Sequence, residues 1–155
     1  MGTEGGKFIK ESYEEENDWS IEHFSRILHM RGYEVLNKPK EDYRVDITAF
    51  KDGEETYYEV EVKKGYPFTN QEDFKFPTVS FLARKKKWAE IGFWYVVICK
   101  ETLSMVMCHS DEIFKDEYRV HRNVSTSQRK GSDIMYHVPK EKCTFITWND
   151  LTEGR

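Results

Sequence analysis

Arg44-Val45-Asp46-Ile47-Thr48-Ala49-Phe50-Lys51-Asp52-Gly53-Glu54-Glu55-Thr56-Tyr57-Tyr58-Glu59-Val60-Glu61-Val62-Lys63 is the stretch on which the fold turns. Asp52-Gly53 is a strong signal for a two-residue hairpin turn, whose type I′ form needs positive φ at both central positions. On either side, polar and apolar residues alternate, as in a strand with one face buried. With Lys51 facing Glu54, the register sets Asp46 opposite Glu59. Arg44, Asp46, Thr48, Tyr57, Glu59, Glu61 and Lys63 then share one face, and Val45, Ile47, Ala49, Tyr58, Val60 and Val62 share the other. A slip of two residues would put Asp46 directly opposite Glu61 and keep the same faces, whereas a slip of one would bury the acids and expose the valines, which the apolar pattern forbids.

Asp46 and Glu61 become diagonal neighbours, roughly 7–8 Å apart at the backbone, and Lys63 lies one step further along. Bringing Asp46, Glu59 and Glu61 together costs repulsion unless a cation joins them. Mg²⁺ prefers oxygen ligands, is commonly held by one or two carboxylates, and completes its shell with water and substrate phosphate. Lys63 beside such a site could orient or deprotonate a bound water, or neutralise charge on a phosphoryl transition state. The chemistry expected is metal-assisted phosphodiester hydrolysis. The competing reading is that Glu59, Glu61 and Lys63 are the solvated face of an ordinary hairpin.

Before the hairpin, Phe24, Ile27 and Leu28 recur at helical spacing with Gly32 as the stop, which predicts a helix over 12–31 behind a loose, glycine-containing start. Tyr33 to Leu36 reads as a short strand before Pro39. Lys64 to Pro77, with Gly65, Pro67 and Asn70, reads as a loop of the length associated with function or mobility. A helix is predicted near 79–90 with Gly92 after it, although Thr78-Val79-Ser80-Phe81 would also pass for a strand. Phe93 to Cys99 is a continuous apolar run suited to a strand buried on both faces. Beyond it, strands are expected over 103–108, 134–138 and 143–148, a short helix over 111–118, and a basic loop over 122–131.

Asp46, followed 15 positions later by Glu61-Val62-Lys63, resembles the D…(D/E)-x-K signature of the PD-(D/E)XK nucleases, which include restriction endonucleases and Holliday junction resolvases. The predicted element order is similar to that family's αβββαβ core over about residues 12–99, with a C-terminal β extension over about 100–148. The resemblance implies an α/β restriction-endonuclease-like fold, a central mixed sheet flanked by helices. It also implies an endonuclease of repair, recombination or foreign-DNA processing. Asp46 and Glu61 would be metal ligands, with the Val62 carbonyl as a further ligand and Lys63 as the catalytic lysine. Mg²⁺ would be the cofactor, with Mn²⁺ able to substitute. Many members add an acid from the first helix, and Glu22, Glu14 or Asp18 could fill that place; Glu59 is the other additional acid. Val45, not proline, precedes the aspartate.

A bare acid-x-Lys is weak, since it recurs at Asp73-Phe74-Lys75, but that copy has no alternating strand around it. Arg84-Lys85-Lys86-Lys87 and a second patch, Arg122 with Arg129-Lys130, are candidate phosphate contacts. A structure-directed nuclease such as a resolvase would require a homodimer, because two strands must be cut symmetrically. The competing class is a catalytically inactive domain of the same fold that binds nucleic acid or protein.

The whole chain bounds these readings. Its 155 residues suit one domain, and 15% aromatic content provides a core despite 34% charged residues. The longest apolar run, Phe93 to Cys99, is far short of the ~20 residues of a membrane span, and the polar start lacks a signal-peptide-like stretch. A cytoplasmic protein, nucleoid-associated if bacterial or viral, with DNA rather than a membrane as partner is therefore expected. Cys99, Cys108 and Cys143 have neither the even number nor the spacing of a disulfide or metal framework. The net charge of −4 opposes a nucleic-acid partner only as a sum, since it includes the acids of the hairpin and of Glu14 to Asp18.

Overall fold

In the computed structural model φ is 53° at Asp52 and 81° at Gly53, as the tight turn requires. The strands it joins, β2 (Ile47–Lys51) and β3 (Glu54–Lys63), pair antiparallel with Ile47 facing Tyr58 and Lys51 facing Glu54, the register expected from the turn. The structure describes residues 2–36, 45–125 and 130–153; side chains are described for 15–36, 45–121 and 134–153. Arg44 and Arg129 lie outside the described residues, as do the side chains of Glu14, Arg122 and Lys130.

Helix α1 (Gly2–Met30) starts well before residue 12, so the glycines of the expected loose start are helical. Extending a formed helix costs far less than nucleating one, which permits this despite poor local propensity. Strand β1 (Glu34–Val35) follows. After β3 come β4 (Thr78–Leu82), a 3₁₀ turn over Ala83–Trp88, β5 (Trp94–Cys99) and β6 (Met105–His109). Next are α2 (Ser110–Ile113), a second 3₁₀ turn over Asp116–Tyr118, β7 (Arg119–Ser125) and β8 (Lys130–Pro139). A third 3₁₀ turn over Lys140–Lys142, β9 (Thr144–Ile146) and α3 (Trp148–Thr152) end the chain. Among the described residues no helix is long and apolar enough to cross a membrane.

The central sheet is mixed, in the order β1-β2-β3-β5-β6-β9, and β5 is parallel to β3. On one face lies α1, whose Phe24, Ile27 and Leu28 pack with Ile47, Ala49, Tyr58, Val60, Val96 and Ile98 in one core. The other face carries a second sheet, β4-β8-β7, where a flanking helix is expected. Its Val79, Phe81, Tyr136 and Val138 pack on Tyr95, Val97, Cys99 and Val106 in a second core. The molecule is thus a mixed α/β fold of helix, sheet and sheet.

Several expectations are corrected. The helix near 79–90 is replaced by β4 and the 3₁₀ turn, because Val79 and Phe81, 2% and 0% exposed, bury alternately against the central sheet while β8 supplies a ladder. The expected loop over 122–131 contributes instead to β7 and β8, whose polar residues pair along each other's backbones. Val45 belongs to the core with Tyr95 and Val97, opposite Ile47, because the chain bends at Asp46 before β2 begins. The acid-bearing face is covered at Thr48 and Glu59, 3% and 2% exposed, half-buried at Glu61 and open to solvent at Lys63. Over 111–118 the helix breaks into α2 and a 3₁₀ turn, and over 143–148 strand gives way to α3, whose Thr147 side chain accepts the Asp150 N–H at 3.1 Å. Cys99, Cys108 and Cys143 are buried free thiols.

Candidate active site

The bend at Asp46 is built by its own side chain. Its N–H donates to Glu59 Oε2 at 2.7 Å, while its Oδ2 accepts the Val60 N–H at 3.0 Å. Two carboxylates thereby close the end of the hairpin in place of a backbone ladder. Charge-assisted bonds of this kind are stronger than neutral ones, so the position of Asp46 is firmly set.

Lys85, from the 3₁₀ turn, reaches into this corner. Its Nζ is 3.2 Å from Glu59 Oε1 and 3.8 Å from Asp46 Oδ2. Burial pushes the Glu59 carboxyl up to about 7; the negative charge of Asp46 pushes the same way, and Lys85 opposes both. Glu59 is sealed from solvent, so it acts by holding Asp46 rather than by touching a substrate.

Glu61 lies two residues along β3 on the same face, beside Val97 in the parallel ladder. Its Oε2 accepts the Tyr95 hydroxyl at 3.1 Å. Tyr95 is fully buried; burial first, and the Glu61 charge second, hold its phenol well above the ordinary range. Lys63 ends the strand exposed, and its carbonyl accepts the Lys100 N–H at 3.0 Å. Half-buried Val62 lies between these two residues.

Of the acids on α1, Glu22 is 65% exposed at its side chain and pairs with Arg26 at 2.5 Å, turned to solvent. Glu16, which the sequence did not single out, pairs with Lys64 at the end of β3 and is the helix acid tied to that end of the strand. The basic run does not present one surface. Lys85 is turned inward, Lys86 donates to the Tyr136 hydroxyl at 3.4 Å, and the Lys87 ammonium lies over the Trp88 ring, 5.2 Å from its centroid. Arg84, Lys86 and Lys87 are exposed.

Sequence reasoning therefore missed Lys85 as a partner of the acids, and Tyr95. One signal was available for Tyr95: a polar-tipped residue in an otherwise apolar central strand needs a hydrogen-bond partner when buried. Nothing local distinguishes Lys85 from its three basic neighbours.

Among the described residues no three His, Cys, Asp or Glu side chains converge as a metal cage. A hard cation such as Mg²⁺ needs only one or two carboxylates, with water and phosphate for the rest. Asp46 and Glu61, each fixed through one oxygen by a neighbouring donor, suit that mode of binding in donor chemistry. The chain matches no protein-family model and no curated protein.

Proposed function

We propose that this chain is a Mg²⁺-dependent DNA endonuclease with a restriction-endonuclease-like core, acting at Asp46, Glu61 and Lys63. The observation that carries the reading is the hairpin register, which puts the bend at Asp46 on the same face as Glu61, with Lys63 at the strand end. The parallel pairing of β3 with β5 accords with it.

In this reading Asp46 and Glu61, with the Val62 carbonyl, hold the cation. When bound, Mg²⁺ supplies Lewis-acid stabilisation of phosphoryl charge. Glu59 and the Val60 N–H fix Asp46, and Tyr95 fixes Glu61, so neither carboxylate must reorganise as charge develops. The exposed Lys63 ammonium stands where it can orient water or neutralise the phosphate. Exposed Arg84, Lys86 and Lys87 offer contacts to the DNA backbone. Repair, recombination and foreign-DNA processing are the settings that fit such an activity, and junction resolution would require two copies of the chain.

One observation favours a second reading, a non-catalytic domain of the same fold: Lys85 already neutralises the Asp46–Glu59 pair. The deciding experiment incubates the protein with plasmid, single-stranded, flap and four-way-junction DNA in Mg²⁺ or Mn²⁺. Cleavage abolished by Asp46→Ala and by Lys63→Ala is expected. No cleavage of any substrate, or cleavage undiminished in both variants, would sink the assignment. Calorimetric titration with Mn²⁺ should also show binding that weakens in Glu61→Gln.

A further inference from the structure

A cleft of about 730 Å³ opens between the central sheet and β4 and β8, at the end of β3. Lys63, Lys64, Tyr66, Phe68, Phe74 and Phe76 line it, and its wall includes Val97, the ladder neighbour of Glu61. It therefore adjoins the candidate active site.

The aromatic residues come from the 64–77 loop, which is tied down along its length. The Gly65 N–H donates to Glu101 at 2.9 Å, and the Phe68 carbonyl accepts the Thr102 hydroxyl at 2.6 Å. Asp73 accepts the Thr69 and Asn70 N–H groups, and the Lys140 ammonium donates to the Gln71 and Phe74 carbonyls at 3.1 and 3.0 Å. Phe68 is 4% exposed and belongs to the core, but Tyr66 and Phe76 are 60% and 40% exposed. Their rings meet edge to face, with centroids 5.3 Å apart, and the Lys75 ammonium lies 4.3 Å from the Tyr66 centroid. A pinned loop thus holds two large aromatic rings partly in water at the mouth of the cleft.

We infer that this cleft binds an unpaired nucleotide of a DNA single strand, its base against Tyr66 and Phe76 and its phosphates towards Lys63 and Lys75. Aromatic rings beside ammonium groups match the two halves of a nucleotide, a π face and an anion, and such platforms bind single strands with little sequence preference. Lys64 is already paired with Glu16, so of the two lysines in the lining Lys63 is the one offered to a phosphate, while Lys75 stands beside the cleft with its ammonium over the Tyr66 and Phe76 rings. The volume lies within the about 300–1,000 Å³ usual for small-molecule sites. Bases in an intact duplex stack on one another and do not present their faces, so the preferred substrate contains a single-stranded segment beside the cut. A purely apolar ligand would gain nothing from the lysines.

The inference rests on the nuclease reading for the role of the neighbouring strand, and its test is made without cleavage so that the two can fail separately. Fluorescence anisotropy in EDTA compares a labelled 15-nucleotide oligo(dT) with a blunt duplex of equal length, a probe length of roughly the site size of a single-strand groove. The single strand should bind tighter, and Tyr66→Ala and Phe76→Ala should each weaken it about tenfold, as expected for loss of one stacking ring. Tyr66→Trp should retain binding. Both alanine variants alter exposed side chains, and unchanged thermal melting would show that the fold is intact. Equal affinity for single strand and duplex, or alanine variants that bind oligo(dT) like the parent, would overturn the inference. Uptake of an uncharged apolar dye without oligonucleotide binding would do the same.

Discussion

Lys85 places its ammonium 3.2 Å from a carboxylate oxygen of Glu59, a residue only 2% exposed. A basic residue from a run of four is thereby the internal counter-ion of the acidic corner. Removing one partner of a buried pair costs more than the pair contributes, because the charge left behind is unpaired. Glu59 can escape part of that cost by taking up a proton. Lys85→Met leaves a buried acceptor without its donor and should therefore destabilise the protein by about 1–3 kcal/mol at pH 8, and by less at pH 5. Urea unfolding at the two pH values checks this; an equal loss at both would separate Lys85 from the charge of Glu59.

Glu59 itself predicts a pH dependence. In the folded chain its carboxyl titrates near 7, against an ordinary value of 4.5. Between those values the folded state binds more protons than the unfolded one, so this group's contribution to stability falls as pH rises through the window, and the full penalty is present above it. The groups facing it are the Asp46 carboxylate and the Lys85 ammonium. Glu59→Gln cannot ionise, yet keeps an oxygen for the Asp46 N–H. Melting in EDTA should show the variant gaining on the parent from pH 5 to pH 8, and a constant difference would contradict the assignment.

Tyr95→Phe removes the hydroxyl that Glu61 accepts while leaving the ring packed against Phe81, 4.8 Å between centroids. Loss of one hydrogen bond should cost about 1 kcal/mol in stability. If Glu61 holds metal, losing its outer partner should weaken Mn²⁺ binding about tenfold. Calorimetry on the folded variant reads this directly, and unchanged metal affinity would show that Tyr95 serves packing alone.

Gly53→Ala tests the turn on which the register depends. An added Cβ meets nothing within 4 Å, so the effect is conformational: φ of 81° is a region that alanine resists. A loss of about 1 kcal/mol is expected, whereas Asp52→Gly should be neutral or slightly stabilising. Chemical denaturation of both variants measures the difference.

The hairpin was legible because three local signals agree there: turn residues, period-two alternation and β-branched residues. Phe24, Ile27 and Leu28 likewise identified the helix, and the run ending in Cys99 identified β5. The second sheet was not legible because its reasons are non-local. Arg119 to Ser125 is polar, and it is a strand only because Lys130 to Pro139 lies beside it. Thr78 to Phe81 could be read either way until β8 and the Tyr95 ring were in place. At the candidate site the sequence located Asp46, Glu59 and Glu61 on one face. It did not show that β4 and β8 cover that face, nor that the cation reaching it would be a lysine of the chain's own.

The central sheet ends in strands of two and three residues, Glu34–Val35 and Thr144–Ile146. Backbone groups at a sheet's rim are the usual template on which a second chain adds a strand, and rims this short give such a partner almost no ladder to extend. The described rims of the central sheet accordingly give two copies little by which to continue that sheet from one into the other. The same brevity guards the central sheet, with its β-branched and aromatic strands, against the edge-to-edge stacking that leads to aggregates.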